Sequence, residues 1–161
     1  MIPPKGRALQ PAEREALLAD IGDIVESSHL FKSLDEGGRR ELIETGYVVK
    51  YDAGQSLMKQ GDVGSAMYLV MRGNVSVETD KGDAGVLHLA KLGRGACIGE
   101  VGVLTGIPRT ATVKALDEVK VVAFEKHRVQ RVIDAHPKVR KLLEAMIEGR
   151  ARDTVEKLIS G

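Results

Sequence analysis

GACIGEVGVLTGIPRTATVKA, residues 95–115, sets a short apolar insert between two strand-like pieces and holds one carboxylate, Glu100, and one guanidinium, Arg109. The two are nine positions apart. Fully extended chain would separate them by roughly 30 Å, and continuous helix by about 13 Å. A helical turn over Val101–Leu104, reversed at Thr105-Gly106-Ile107-Pro108, brings both side chains to one small cavity instead. The flanks are apolar: Val101, Val103 and Leu104 precede the reversal, and Thr110-Ala111-Thr112-Val113 alternates like a half-buried strand. A charge held in such a segment needs a partner, because desolvating it alone costs several kcal/mol. Arg109 is therefore expected to meet an anion and Glu100 to accept hydrogen bonds. With an amide-rich helix start at Gly99–Glu100 beside them, the three features suit a compact sugar phosphate.

Outward from this stretch the pattern is that of many short strands. Tyr47-Val48-Val49, Met67–Met71, Val75-Ser76-Val77, Val86–Leu89 and Val119–Phe124 are apolar runs separated by Gly and Asp turns. Gly73-Asn74 is one such turn, and Asp80-Lys81-Gly82-Asp83 reads as a hairpin tip. Strands and turns so spaced predict a closed or two-sheet β structure, most simply a β jelly roll of the cupin-like, double-stranded β-helix type. Helices flank it. The apolar positions Ala16, Leu17, Ala19, Ile21, Ile24 and Val25 predict an amphipathic helix over Pro11–Val25. Asp35 to Thr45 predicts another, capped by Asp35 and stopped by Gly46. Lys126–Ala135 is a third, halted near His136-Pro137 because the residue before proline avoids the α region. Pro137 then opens a helix with a stripe at Val139, Leu142, Leu143, Met146 and Ile147, weakened at Gly149 and resumed at Val155, Leu158 and Ile159. That stripe fits packing on the β domain, a lid over a ligand, or a dimer seam.

Composition bounds the function classes. At 161 residues the chain is one domain's worth, enough to bury a core. With 24 basic and 23 acidic residues the net charge is +1, and no basic stripe points to nucleic acid. Phe, Trp and Tyr make up 3% of the chain, too few for a base-stacking platform. The single Cys97 excludes an internal disulfide, suits a reducing cytosol and reads as a packed thiol. No signal peptide and no apolar run of about 18 residues occurs, so a cytoplasmic chain without a membrane span is expected. Residues 1–11 read as a frayed linker from a longer parent.

Gly99-Glu100, the apolar turn and then Pro108-Arg109-Thr110-Ala111-Thr112-Val113 resemble the phosphate-binding cassette of cyclic nucleotide-binding domains. That family includes catabolite activator proteins, the regulatory subunits of cAMP-dependent kinase and cyclic nucleotide-gated channels. His29-Leu30-Phe31-Lys32-Ser33-Leu34 is similar to the family's upstream motif, an apolar pair before a short helix. Tyr51-Asp52-Ala53-Gly54, Gln60-Gly61-Asp62, and Met67-Tyr68-Leu69-Val70 with Gly73 resemble its first strands and turns. The likeness covers about residues 29–145. It implies a ligand, cAMP or cGMP, and no metal.

The resemblance also implies roles. Arg109 would hold the equatorial phosphate oxygen with a planar guanidinium, and Glu100 would accept from the ribose 2′-hydroxyl. Backbone amides near Gly99, Glu100 and Ala111 would take the remaining phosphate oxygen, with Gly99 permitting close approach. Thr110 would offer a hydroxyl to phosphate or purine, leaving the choice of base open. Val70, Val86, Leu87 and Val101 would pack around ribose and base. Gly102 departs from the pattern, since many relatives carry Ala or Ser there. The implied division is 1–28 for an N-terminal linker and helix, 29–136 for the β-roll domain with its cassette at 98–113, and 137–161 for a C-terminal lid helix. Ligand-driven movement of that helix would control a partner or attached effector, or a homodimer, and no catalysis is expected.

Rival classes are a cupin-type metalloenzyme, a truncated transcription regulator and a degenerate domain that no longer binds. The four histidines, His29, His88, His127 and His136, form no H-x-H pair with a following carboxylate. A transcription regulator needs a helix-turn-helix after the long helix, for which no room is expected before Gly161. A vacated site has no need of both Glu100 and Arg109.

Overall fold

The computed structural model describes residues 6–145, apart from the side chains of Ser27 and Val101. A two-residue strand, β1 (Arg7–Ala8), precedes four helices: α1 (Pro11–Ala19), α2 (Ile21–Ser27), α3 (His29–Ser33) and α4 (Glu36–Glu44). Strands β2 (Tyr47–Tyr51), β3 (Ser56–Met58), β4 (Ala66–Arg72), β5 (Val75–Asp80), β6 (Val86–Leu92) and β7 (Cys97–Ile98) follow. Helix α5 (Glu100–Thr105) separates them from β8 (Thr112–Ala115), β9 (Val119–Glu125) and α6 (Lys126–Asp134), and a further helix, α7, covers 137–145.

The strands form two antiparallel sheets, in the order β1-β2-β9-β4-β7 and β3-β8-β5-β6. The fold is thus mainly β with flanking helices, as the turn spacing implies. Strands β4 and β9 read as almost continuous apolar runs because both their faces are covered. Successive side chains in a strand point to opposite faces. Val119 and Val121 of β9 and Val70 of β4 enter the core between the sheets, with Val75, Val113 and Ala115 of the second sheet. Val122 and Phe124 of β9, with Met67 and Leu69 of β4, face the helices and join a second core containing Leu17, Ile24, Leu30, Phe31 and Leu42. That helical core runs in sequence from Leu17 to Leu143, so residues on both sides of positions 28 and 137 pack into one cluster.

Three local outcomes differ from the sequence expectations. The helix expected over Pro11–Val25 is two helices, broken at Asp20, whose backbone leaves the helical region at ψ 10°. Its carboxylate is bonded to the Arg94 guanidinium, and the bend lets Leu17 and Ile24 both reach the helical core. Gly46 does follow the helix capped by Asp35, whose carboxylate accepts from the Gly38 amide at 2.7 Å. Its role is close approach: a β-carbon there would overlap Val122 and lie 2.8 Å from the Phe124 ring. Gly73-Asn74 joins strands of different sheets, whereas Asp80–Asp83 leads into the short 3-10 turn that closes the β5–β6 hairpin.

The C-terminal stripe is partly visible. Leu143 is buried and Val139 packs on the helical core, while Leu142 is half exposed. Met146, Ile147, Gly149, Val155, Leu158 and Ile159 lie outside the described residues.

Candidate functional site

The site is built where β7 ends. Cys97 and Ile98 pair with Leu69 and Tyr68 of β4, and the chain then turns at Gly99, whose φ of +81° favours a residue without a β-carbon. Helix α5 starts at Glu100 and is capped after Thr105 by Gly106, again left-handed at φ +76°. The return to β8 is tied to the loop before β4. The Arg109 amide donates to the Asp62 carbonyl at 2.7 Å, and the Gly61 amide donates to the Arg109 carbonyl at 2.8 Å. That loop is itself fastened to the tip of β5, where Gln60 exchanges side-chain hydrogen bonds with the Asp80 backbone. Arg109 therefore sits on a backbone held from two sides.

Its side chain turns inward and is 6% exposed. Nη1 donates to the Gly99 carbonyl at 2.7 Å, Nη2 donates to the Ala66 carbonyl, and Nε is buried without a partner. The guanidinium fits because three glycines surround it. A β-carbon at Gly64 would overlap it, and β-carbons at Gly99 and Gly102 would lie 2.6 and 2.7 Å from Nη1. Burial pushes the Arg109 pKa down, with the nearby Tyr68 acting in the opposite direction. A cation removed from water, given only neutral carbonyls and an orphaned N–H, is electrostatically unfinished.

Glu100, 3% exposed, is engaged by the chain itself. Its Oε1 accepts from the Ser28 hydroxyl at 2.8 Å and the Leu30 amide at 2.6 Å, and its Oε2 accepts from the His29 amide at 3.3 Å. Sequence spacing brought Arg109 to the Gly99–Glu100 turn, and the structure does so through the Gly99 carbonyl. Spacing gave no hint of Ser28, which lies 72 positions from Glu100. The one readable signal was Ser28's place before His29-Leu30-Phe31, where its hydroxyl caps α3 by accepting from the Phe31 amide at 3.1 Å. Gly64 and Ala66 were also missed.

The other expected residues scatter around this pair. Ala111 is buried and Thr110 is exposed, its carbonyl accepting from the buried Thr79 hydroxyl at 3.0 Å. Leu87 of β6 pairs with Thr79 across the sheet and so shares its face, and Val86 pairs with Asp80. Both lie on a sheet edge, 44% and 56% exposed. Val70, expected to pack on ribose or base, is buried in the core between the sheets. Val101 lies in α5, and its side chain is outside the described residues. Among the described residues no group of three or more His, Cys, Asp or Glu is placed to hold a metal ion, and no helix is long and apolar enough to cross a membrane.

A profile described as the cyclic nucleotide-binding domain matches residues 48–136, more than half of the chain. The chain belongs to the cyclic nucleotide-binding domain family. This cyclic nucleotide-binding domain is 37% identical over 120 residues to a cAMP-dependent protein kinase regulatory subunit of Eremothecium gossypii, covering 74% of this chain and 25% of that protein. It is 32% identical over 108 residues to lysophospholipase nte1 of Neurospora crassa, covering 67% of this chain and 7% of the other. The chain thus spans a quarter or less of these relatives' lengths. Its fold matches the regulatory domain of Toxoplasma gondii PKA solved with cAMP, at TM-score 0.66 and 20% identity over 88% of this chain and 53% of that one.

Proposed function

We propose that this cyclic nucleotide-binding domain is a sensor that takes cAMP or cGMP at Arg109 and passes binding on to a partner or attached effector. The observation that supports this most is Arg109 itself, 6% exposed, with its guanidinium seated on two carbonyls and Nε unpartnered. A cyclic phosphate supplies the missing charge, and a planar guanidinium gives it two parallel charge-assisted bonds. Amides of Gly99, Glu100 and Ala111 take the other phosphate oxygen, and Glu100 accepts from the ribose 2′-hydroxyl. Thr110, exposed beside Arg109, meets phosphate or purine, while Val86, Leu87 and Val101 supply apolar contact. The cAMP named for the Toxoplasma gondii structure and for the kinase relative favours the same ligand class. Binding and release, with no bond made or broken, is the activity that this set of groups performs.

Calorimetric titration of the folded chain with cAMP and with cGMP tests the reading. Saturable one-site binding of at least one is expected. Binding of neither overturns it.

A further inference from the structure

We infer that Gln60 is a positioning residue for the anion site: its side-chain amide takes the place of Thr110 in the β5–β8 ladder and so keeps the Thr110–Ala111 turn off the sheet. The inference rests on the reading of Arg109 as the phosphate holder and adds what keeps the neighbouring backbone open to that anion.

The strand register shows the substitution. Strand β8 pairs with β5 as Val75↔Ala115, Ser76↔Lys114, Val77↔Val113 and Glu78↔Thr112, and the ladder stops there. Continued for two residues, the same register would set Ala111 against Thr79 and Thr110 against Asp80. A residue in an antiparallel ladder turns its N–H and C=O to the same neighbour. The Lys81 amide bonds to Gly85 on the β6 side, so the backbone of Asp80, one residue earlier, faces the β8 side. Thr110 would there accept from the Asp80 amide and donate to the Asp80 carbonyl. Gln60 does both instead. Its Oε1 accepts from the Asp80 amide at 2.7 Å, and its Nε2 donates to the Asp80 carbonyl at 3.1 Å. The Thr110 carbonyl accepts from the Thr79 hydroxyl at 3.0 Å, outside the ladder.

The sheet order explains why Gln60 can do this. It follows β3, which lies on the other side of β8, so its side chain crosses the gap that β8 leaves between its two neighbours. Its own amide donates to the Thr112 hydroxyl at 3.0 Å, at the last rung of the ladder. The next two residues brace Arg109 through the Gly61 amide and the Asp62 carbonyl. One short loop therefore sets both the seat of the arginine and the path of the turn after it. Among the described residues the Thr110 and Ala111 amides donate to no other group, although Ala111 is buried. Backbone amides need acceptors, and a pair left open beside a buried guanidinium suits an anion's oxygen. Without the clasp, Asp80 would recruit the Thr110 backbone. The open form would then be only a fraction of the population, and affinity would fall by that fraction.

Amide exchange followed by NMR in the nucleotide-free protein reads the clasp directly. The Thr110 amide is expected to exchange freely in the wild type. In Gln60→Ala it is expected to slow by about threefold to tenfold, the scale of one hydrogen bond. Gln60→Met, which keeps the length of the side chain without its hydrogen bonds, is expected to behave the same way. Calorimetric titration with cAMP and cGMP is expected to show whichever nucleotide binds weakened by that same factor in both variants. The thermal midpoint is expected to stay nearly unchanged, because the new ladder pair replaces the lost clasp. A Gln60 that only stabilised the fold would lower the midpoint and leave Thr110 exchange alone. A Thr110 amide already protected in the wild type overturns the inference, whether or not the variants fold. So does wild-type affinity, or unchanged Thr110 exchange, in both variants. Binding of neither nucleotide is a different failure: it removes the proposed function, and the clasp is then judged by Thr110 exchange, which needs no ligand.

Discussion

Arg109 and Glu100 carry opposite charges, and each meets a different need. The arginine is a buried cation that lacks an anion, and the glutamate is a buried anion already supplied with donors. Arg109→Ala is expected to leave the fold intact and to weaken nucleotide binding by about 2–5 kcal/mol, since a desolvated phosphate loses its charge partner. Gly64→Ala moves the same cation without deleting it, because the new methyl overlaps the guanidinium. It is expected to weaken binding with little change in the thermal midpoint; both variants are read by calorimetry beside a melting curve. Wild-type affinity in Arg109→Ala would place the phosphate elsewhere. Arg109 and the Gly99–Glu100 turn were legible in the sequence because one short segment holds them, and local geometry there is fixed by Gly99, Gly106 and Pro108. Ser28, Gly64 and Ala66 were not legible, since each meets the site across tens of residues and no local periodicity encodes such a meeting.

At the scale of elements, apolar pattern and turn residues placed the strands, the capping aspartate of α4 and the proline-opened α7. The pattern erred where a tertiary partner overrode it. Asp20 breaks one amphipathic run into α1 and α2 because it pairs with Arg94 on the β6–β7 loop. A similar long-range tie fastens the N-terminal elements to the sheet. Glu13 of α1 binds the Arg7 guanidinium of β1 at 2.6 and 2.8 Å, and Lys120 of β9 at 2.6 Å. The Arg7 hydrogen bonds, helped by Lys120 and the Gln10 amide and opposed by burial, hold the Glu13 carboxyl well below the usual carboxylate range. A carboxyl depressed in the folded state stabilises it above the unfolded value of about 4.3, and that contribution is lost as pH falls below it. Glu13→Gln is therefore expected to lower the urea midpoint at pH 7 and to flatten its fall between about pH 5 and pH 3. Parallel curves for wild type and variant would show that the tie contributes nothing to acid stability.

At the scale of the whole molecule, α5 packs against helices that come before and after the strands. Val103 of α5 lies in one buried cluster with Leu30 and Phe31 of α3, Val129 and Val132 of α6, and Leu143 of α7. Close-packed cores transmit displacement, so α5 cannot settle around a phosphate without being felt on both sides. The two sides differ in what they share with the cassette. On the N-terminal side the link is the Glu100 carboxylate, which accepts from the Ser28 hydroxyl and from the His29 and Leu30 amides. On the C-terminal side it is apolar contact through Leu143, with Val139 packed beside it and Leu142 half exposed. A ligand that orders α5 is expected to strengthen that contact, and an arriving base would offer Leu142 a surface to cover. Amide exchange with saturating cyclic nucleotide is accordingly expected to slow across residues 99–113 and across 139–145, and to change at His29 and Leu30. Slowing confined to 99–113 would make α7 fixed packing and leave α3 as the exit for the signal. Slowing in α7 with no change in α3 would assign output to the C-terminal side alone.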